Sequence, residues 1–459
     1  MATIIQQNLF SWEEVERSSD LTRLSIVLET LPDEGIIQEL ERHRGKGRNT
    51  YPVRPCWNLL LAGIVFQHPT VESLLRELRR NGELRSVCGF NLVHGTEAAP
   101  TPSAMSRFLK NVMRNRGLIQ QMFDELVEEL QKLIPDFGQH LAFDGKQLES
   151  YSTGRRRRDT NAASDADADW GKKQYHGVDQ QGKPWSTIKS WFGYQLHLIV
   201  DARYELPVAF EVMRASCSEA TRLVPMVQQL AKRHPSLIKE CSDLSADRGL
   251  DSGAINTTLW EGFKIKPVID CRAMWKLEHG VGAQSTRMLR SEGWDNVTYT
   301  ERGKVCCVCP VTGTEHSMAF RGFEASRNQL GYRCPAAAYG WQCQGREQCE
   351  LAALGRLSQH GRIVRVSLDQ DRRVFTPIPR DTPSWRRLYA LRSSVERINA
   401  RVDRDFGFER HTIRGRKKME TRMGLALVVM LAMAVGFARL GQMEALRSLV
   451  TSPRRKRAA

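Results

Sequence analysis

The run Tyr389-Ala390-Leu391-Arg392-Ser393-Ser394-Val395-Glu396 spaces a phenol, a guanidinium and a carboxylate at intervals of three and four residues. On a helix of about 3.6 residues per turn these three side chains share one face. The flanks agree with a helix. Ser384 after Pro383 suits a cap, and Leu388, Leu391, Val395 and Ile398 form an apolar stripe. A carboxylate beside an arginine on a helix is, by itself, an ordinary surface ion pair. Two acids far upstream change its meaning. Asp144 sits inside the apolar run Leu141–Leu148, and Asp247 follows the run Cys241–Ala246. Three clustered carboxylates repel and raise one another's pKa values. A divalent cation removes that penalty, because Mg²⁺ takes hard oxygen ligands and keeps several waters. Two such ions about 3.5–4 Å apart activate an attacking oxygen and stabilise a leaving one, which is the requirement for cutting a phosphodiester. Each aspartate alone also reads as a turn or cap residue. Asp243, Asp251 and Asp270 are open alternatives to Asp247 on the same grounds. Mutual order, not any single residue, selects Asp144, Asp247 and Glu396.

The elements that must position these acids follow from the hydrophobic pattern. Residues 1–135 read as helical: an apolar segment at Trp57–Gln67, a helix capped by Thr70, and another opened by Thr101 with Pro102 in its first turn. From residue 141 the pattern turns strand-like. Leu141–Leu148 reads as a buried strand. The low-apolar, charged stretch 149–190, with Arg155–Arg158 and the acids Asp165, Asp167 and Asp169, reads as a long exposed loop. Phe192–Val200 and Leu206–Met213 form a hairpin pattern, Ala220–Arg233 an amphipathic helix, and Cys241–Ala246 a short strand. Asp251–Trp260 reads as a helix and Ile265–Ile269 as a fifth strand. Residues 272–365, richer in Gly and Cys, read as an insertion, and helical grammar returns at Pro383.

This order of elements is that of the ribonuclease H-like fold: a mixed five-stranded sheet flanked by helices, here with an N-terminal helical domain and a β-rich, Cys-containing insertion. The chain resembles the bacterial insertion-sequence transposases of the DDE class, in the group with the pattern Tyr, two residues, Arg, three residues, Glu, six residues, Lys. Tyr389, Arg392 and Glu396 match in identity and spacing. The fourth position is Asp403, with Arg404 beside it. Ala142-Phe143-Asp144-Gly145-Lys146-Gln147-Leu148 matches the strand-borne Asp-Gly of the family. Ala246-Asp247-Arg248-Gly249-Leu250-Asp251-Ser252 matches its second acidic motif, and residues 51–81 resemble its N-terminal domain.

The resemblance implies an enzyme that binds terminal inverted repeats and target DNA as a homo-oligomer, at least a dimer. It nicks the element's ends with Mg²⁺ or Mn²⁺ and joins the freed 3′-OH to a target. Asp144, Asp247 and Glu396 would be the catalytic metal ligands. Arg392 and Tyr389 would lie on the DNA side of the site. The backbone contact made by the family's lysine would fall to Arg401 or Arg404. Other readings stay open: a ribonuclease H-like nuclease that cuts without joining, and a catalytically inactive, zinc-bearing DNA-binding protein. The implied division is 1–135 for DNA binding or dimerisation, 141–271 with 366–440 for catalysis, 272–365 for the insertion, and 441–459 for a basic tail.

Charge points the same way. The chain has 459 residues and a formal charge of +16. Residues 1–140 hold 16 Lys and Arg against 18 Asp and Glu, whereas residues 391–459 hold 16 against 6. A basic C-terminal part suits a polyanion. Arg414, Lys417 and Lys418 in the run His411–Lys418 are placed to hold a cleaved strand. Arg155–Arg158 and Pro453–Arg457 suit phosphate contact or plain solvation. Trp294 reads as a buried tryptophan sooner than as a base-stacking one.

Six of the eleven cysteines fall in the insertion, at 306, 307, 309, 334, 343 and 349. Their spacing leaves structural zinc and reduced thiols both open. Related transposases carry such Cys-bearing insertions, which implies Zn²⁺ on Cys309, Cys334, Cys343 and Cys349. The first twenty residues lack the basic-then-apolar order of a secretory signal. Met423–Phe437 is apolar but shorter than the roughly 20 residues a bilayer span needs, so it reads as a core helix. A cytoplasmic protein is expected.

Overall fold

The computed structural model describes residues 19–46, 50–154, 165–179, 181, 183–272, 274–275, 286–289, 296–352 and 361–448. Arg155–Arg158, Trp294 and Pro453–Arg457 lie outside the described residues. The chain divides into two units: Met1–Phe137, Gly145–Cys217 and Val395–Ala459 form the first, and Gly138–Asp144 and Ser218–Ser394 form the second.

The first unit opens with helices Ser19–Thr30, Glu34–Arg44, Val53–Val65, Val71–Arg80, Gly82–Cys88, Pro102–Arg114 and Arg116–Leu133. The expected caps are present. Thr70 and Ser73 form a reciprocal capping box. The Thr101 hydroxyl accepts from the Ala104 N–H, with Pro102 in the first turn. At the centre lies the helix Arg416–Arg439, buried without a break from Met423 to Phe437. It is long and apolar enough to cross a bilayer. Here its apolar surface is covered by helices Arg116–Leu133, Ser19–Thr30 and Val53–Val65 and by the strand Leu206–Arg214. Its small residues set the approach: a Cβ at Gly436 would stand 2.2 Å from Ile26 Cγ2.

The main sheet contains β1 (His140–Glu149), β2 (Asp169–Val178), β3 (Pro184–Asp201), β4 (Leu206–Arg214), β5 (Asp243–Ala246) and β6 (Lys266–Ile269). Its order is β2-β3-β1-β5-β6, with β4 on β3. The β2–β3 and β3–β4 pairs are antiparallel, and β1–β5 and β5–β6 are parallel. This is the mixed sheet of a ribonuclease H-like fold, but with six strands instead of five. The sixth is β2, in the stretch expected to be a long exposed loop. It pairs with β3 over ten residue pairs, from Asp169–Gly193 to Val178–Pro184.

The first acid of the acidic run is not solvated either, although Asp167 is exposed. Asp165 is 3 % exposed. Its carboxylate accepts from Ser150 Oγ, Tyr194 OH and the Gly415 N–H at 2.5, 2.8 and 2.9 Å. Burial opposes its ionisation. The hydrogen bonds from Ser150, Gly415, Tyr194 and Asp167 outweigh burial and hold the carboxyl below its ordinary value.

In the second unit the helix Glu219–Arg233 precedes β5, and a short helix, Gly253–Thr257, runs into a wider turn at Thr258–Gly262 before β6. Two small sheets follow. The first contains β7 (Thr286–Met288), β8 (Val297–Thr300), β9 (Val305–Val308) and β10 (Glu315–Ser317). The second contains β11 (Ala319–Glu324), β12 (Gln329–Arg333) and β13 (Ile363–Ser367). Val305, Leu330, Tyr332, Val364 and Phe375 belong to one buried core between them.

The helix expected to run unbroken from Pro383 through Glu396 is interrupted. Pro383–Ala390 ends, Leu391 and Arg392 form a turn, and Ser393–Arg404 begins anew. Leu391 and Arg392 donate to Leu388 and Tyr389, three residues back. The Ser393 hydroxyl donates to the Ala390 carbonyl at 2.9 Å, competing with the helical bond. The cap is Thr382, which accepts from the Trp385 N–H, and not Ser384.

Candidate active site

β1 and β5 run parallel in the register His140–Asp243, Leu141–Leu244, Ala142–Ser245 and Phe143–Ala246. The next residue on each chain is an aspartate: Asp144 and Asp247. Neighbouring strands lie about 4.8 Å apart, so the register delivers both acids to adjacent positions in the second unit. Both are half-buried. Among the described residues none donates a hydrogen bond to the Asp247 carboxylate, which caps no helix through its side chain.

The alternatives are engaged elsewhere. Asp243 is buried and paired with His140 Nδ1 at 2.8 Å. Asp251 is fully buried; it takes Arg373 at 2.8 Å, Arg380 at 3.4 Å and the Arg272 N–H at 2.9 Å. Asp270 pairs with Arg302 at 3.0 Å and accepts from the Cys271 N–H at 2.9 Å. A carboxylate with such partners serves the fold.

Tyr389 and Arg392 adjoin the aspartate edge of the same unit. The helix Pro383–Ala390 packs on β5 and β6. Tyr389 stacks on Trp385 with ring centres 4.6 Å apart, and the Arg392 guanidinium lies 5.9 Å from the tyrosine ring. Burial pushes the Tyr389 hydroxyl up. Arg392 opposes this, and the fields of Asp270 and Asp247 add to it. The phenol therefore stays protonated and available as a donor.

Glu396 belongs to the first unit. It is exposed in the first turn of Ser393–Arg404, where a negative charge suits the helix dipole. Downstream on that helix, Asp403 accepts from Lys146 Nζ at 2.5 Å. Lys146 was not among the residues expected at the site. Its only signal in the sequence is its place, two residues after Asp144. Arg401, expected to contact DNA, turns inward instead. It is 6 % exposed and holds the Glu205 carboxylate and carbonyl, both at 2.9 Å. Arg404, Arg414, Lys417 and Lys418 are exposed. Arg414 also lies 5.2 Å over the Tyr151 ring.

In the insertion, Cys307, Cys309, Cys334, Cys343 and Cys349 line one open cavity of about 710 Å³ with Arg362. Hydrogen bonds from the Thr312 hydroxyl and from the Thr312 and Val311 N–H groups bring the Cys309 thiol down to about 7. Burial pushes Cys307 up to about 12. The buried Arg362 guanidinium donates to Asn296 at 2.6 Å and lies in the field of Cys349, Cys307 and Cys334. Among the described residues no group of three or more His, Cys, Asp or Glu side chains is already gathered to hold a metal ion.

Comparison with known families decides what this sheet edge belongs to. Residues 135–319 match the family described as Transposase DDE domain, and residues 11–111 match Transposase domain (DUF772). The chain belongs to the insertion-sequence DDE transposases. The DDE-domain match contains Asp144 and Asp247 and ends before Glu396. No curated protein matches the chain. As a DDE transposase the chain acts on DNA.

Proposed function

We propose that this transposase binds the inverted repeats at the ends of its own element, as at least a dimer, nicks there, and joins the freed 3′-OH to target DNA. The observation that carries this reading is the pair Asp144 and Asp247, one step beyond a shared register, with the rival aspartates engaged elsewhere: Asp243 by the His140 ring, and Asp251 and Asp270 by arginines. The donor set of Asp144 and Asp247 fits a hard divalent ion: carboxylate oxygens, half-buried, with no hydrogen bond to the Asp247 carboxylate among the described residues. Asp144, Asp247 and Glu396 would hold two Mg²⁺ or Mn²⁺ ions, which would supply charge neutralisation for phosphodiester cleavage.

The remaining work belongs to the chain. Arg392 contacts a phosphate, and the protonated Tyr389 donates to one. Arg404, Arg414, Lys417 and Lys418 hold the strand along the exposed basic surface. Arg401 leaves this set because it is committed to Glu205. Residues 1–135 bind DNA or the second protomer, 141–271 with 366–440 carry the chemistry, and 441–459 are a basic tail. In the insertion, 272–365, Cys309, Cys334, Cys343 and Cys349 would hold a structural Zn²⁺. The protein works in the cytoplasm, at the nucleoid.

The test is strand transfer. Purified protein, Mg²⁺, a labelled duplex bearing the element's end and an unlabelled plasmid should give label covalently joined to plasmid. Nicking without joining would assign a nuclease instead. Binding without nicking would assign an inactive DNA-binding protein.

A further inference from the structure

The hairpin formed by β2 and the first half of β3 has a construction that a sheet edge does not require. From Pro184 to Ser190 every residue of β3 is exposed, and burial begins only at Trp191. Both faces are open: Trp185 is 46 % and Ile188 62 % exposed, and they lie on opposite faces. A two-stranded ribbon without a core is marginal alone, and this one is braced. Trp191 lies across Gly171 and Trp185 across Gly177, since a Cβ at either glycine would stand within 2.5 Å of the ring. Large aromatics over cross-strand glycines stiffen a ribbon. The base is fixed by Asp169, which accepts from the Ser216 N–H at 2.9 Å. The tip is closed by Asp179, which accepts from the Gln181 and Lys183 N–H groups at 3.0 and 2.8 Å.

The charges are sorted. The two acids between residues 169 and 190 serve the base and the tip, and the four other charged residues are Lys172, Lys173, Lys183 and Lys189. Lys173 stands directly opposite Lys189 on one face. Lys173 is half-buried and lines an open cavity with Lys189, Glu149, Asp403 and Glu409, whereas Lys172, Lys183 and Lys189 are exposed.

We propose that this ribbon, Lys172–Val178 with Pro184–Ser190, is a DNA-binding arm that enters the major groove of duplex DNA with its lysines on the flanking phosphates. A major groove about 12 Å wide admits a two-stranded ribbon. The proposal rests on the transposase acting on duplex DNA and adds an arm to it, distinct from the basic surface after Glu396.

The full-length protein is tested against a fluorescent duplex of arbitrary sequence across a salt series. The Lys172→Ala/Lys173→Ala/Lys189→Ala variant should bind at least about tenfold more weakly at low salt. Its slope of log K against log salt should be shallower by about 2.7, which is about 0.9 for each phosphate that a lysine no longer neutralises. Lys189→Glu places opposite charges at the cross-strand position shared with Lys173, which suits a paired ribbon, and should still weaken binding. Unchanged slope and affinity in both variants, with normal binding by the parent, overturn the arm and leave the transposase reading intact. A change in oligomeric state without a change in slope also overturns it, by assigning the ribbon to a second copy of the chain. A parent that binds no duplex overturns the transposase reading itself, and the arm with it.

Discussion

At the scale of residues, the motif Ala246–Ser252 offers two acids, and their surroundings separate them. Asp251 neutralises the half-buried Arg373 and the buried Arg380, while Asp247 has no such partner among the described residues. Removing one partner of a buried pair strands the other charge and costs about 3–5 kcal/mol. Asp251→Asn should therefore lower the urea midpoint strongly, and Asp247→Asn should leave it unchanged or raise it by relieving repulsion with Asp144. Equal destabilisation by both would remove the ground for choosing Asp247. The sequence offered both acids because Asp251's partners lie more than a hundred residues downstream. Lys146 was invisible for the same reason: its partner Asp403 is 257 residues away. Arg401 misled because its position after Glu396 says nothing about Glu205, 196 residues upstream. Long-range partners decide which charges serve the fold, and spacing along the chain does not encode them.

At the scale of elements, legibility followed burial. β1, β3, β4, β5 and β6 each bury residues and were readable as apolar runs. β2 was not, because a ribbon open on both faces has no reason to alternate apolar and polar residues. The break at Leu391 and Arg392 was missed because the apolar stripe continues through it. Only the Ser393 hydroxyl, bonded to Ala390, marks it. In the insertion the turn after Cys309 gives the sharpest expectation. Backbone N–H groups aimed at a sulfur favour the thiolate, which is the form that binds zinc. Purified protein should contain about one zinc per chain, and Cys309→Ser should lose it. Zinc-free protein that is folded and whose insertion thiols all titrate with a thiol reagent would return these cysteines to plain reduced side chains.

At the scale of the whole molecule, a near-neutral N-terminal part and a strongly basic C-terminal part fit a protein that holds DNA while its helices fold around the Arg416–Arg439 core. The ribonuclease H-like sheet was legible from element order, which depends on topology more than on any one residue. The proposed acids come from widely separated stretches: Asp144 and Asp247 from the second unit, Glu396 from the first. The central claim is that all three serve one phosphoryl-transfer reaction. Its most direct test is Mg²⁺-dependent nicking of an element-end duplex by Asp144→Asn, Asp247→Asn and Glu396→Gln. DNA affinity should be measured on the same preparations. Each variant should bind the duplex as the parent does and nick it at least about a thousandfold more slowly. Nicking at the parental rate by any one of them would contradict the assignment of that residue, and by all three the account of the site.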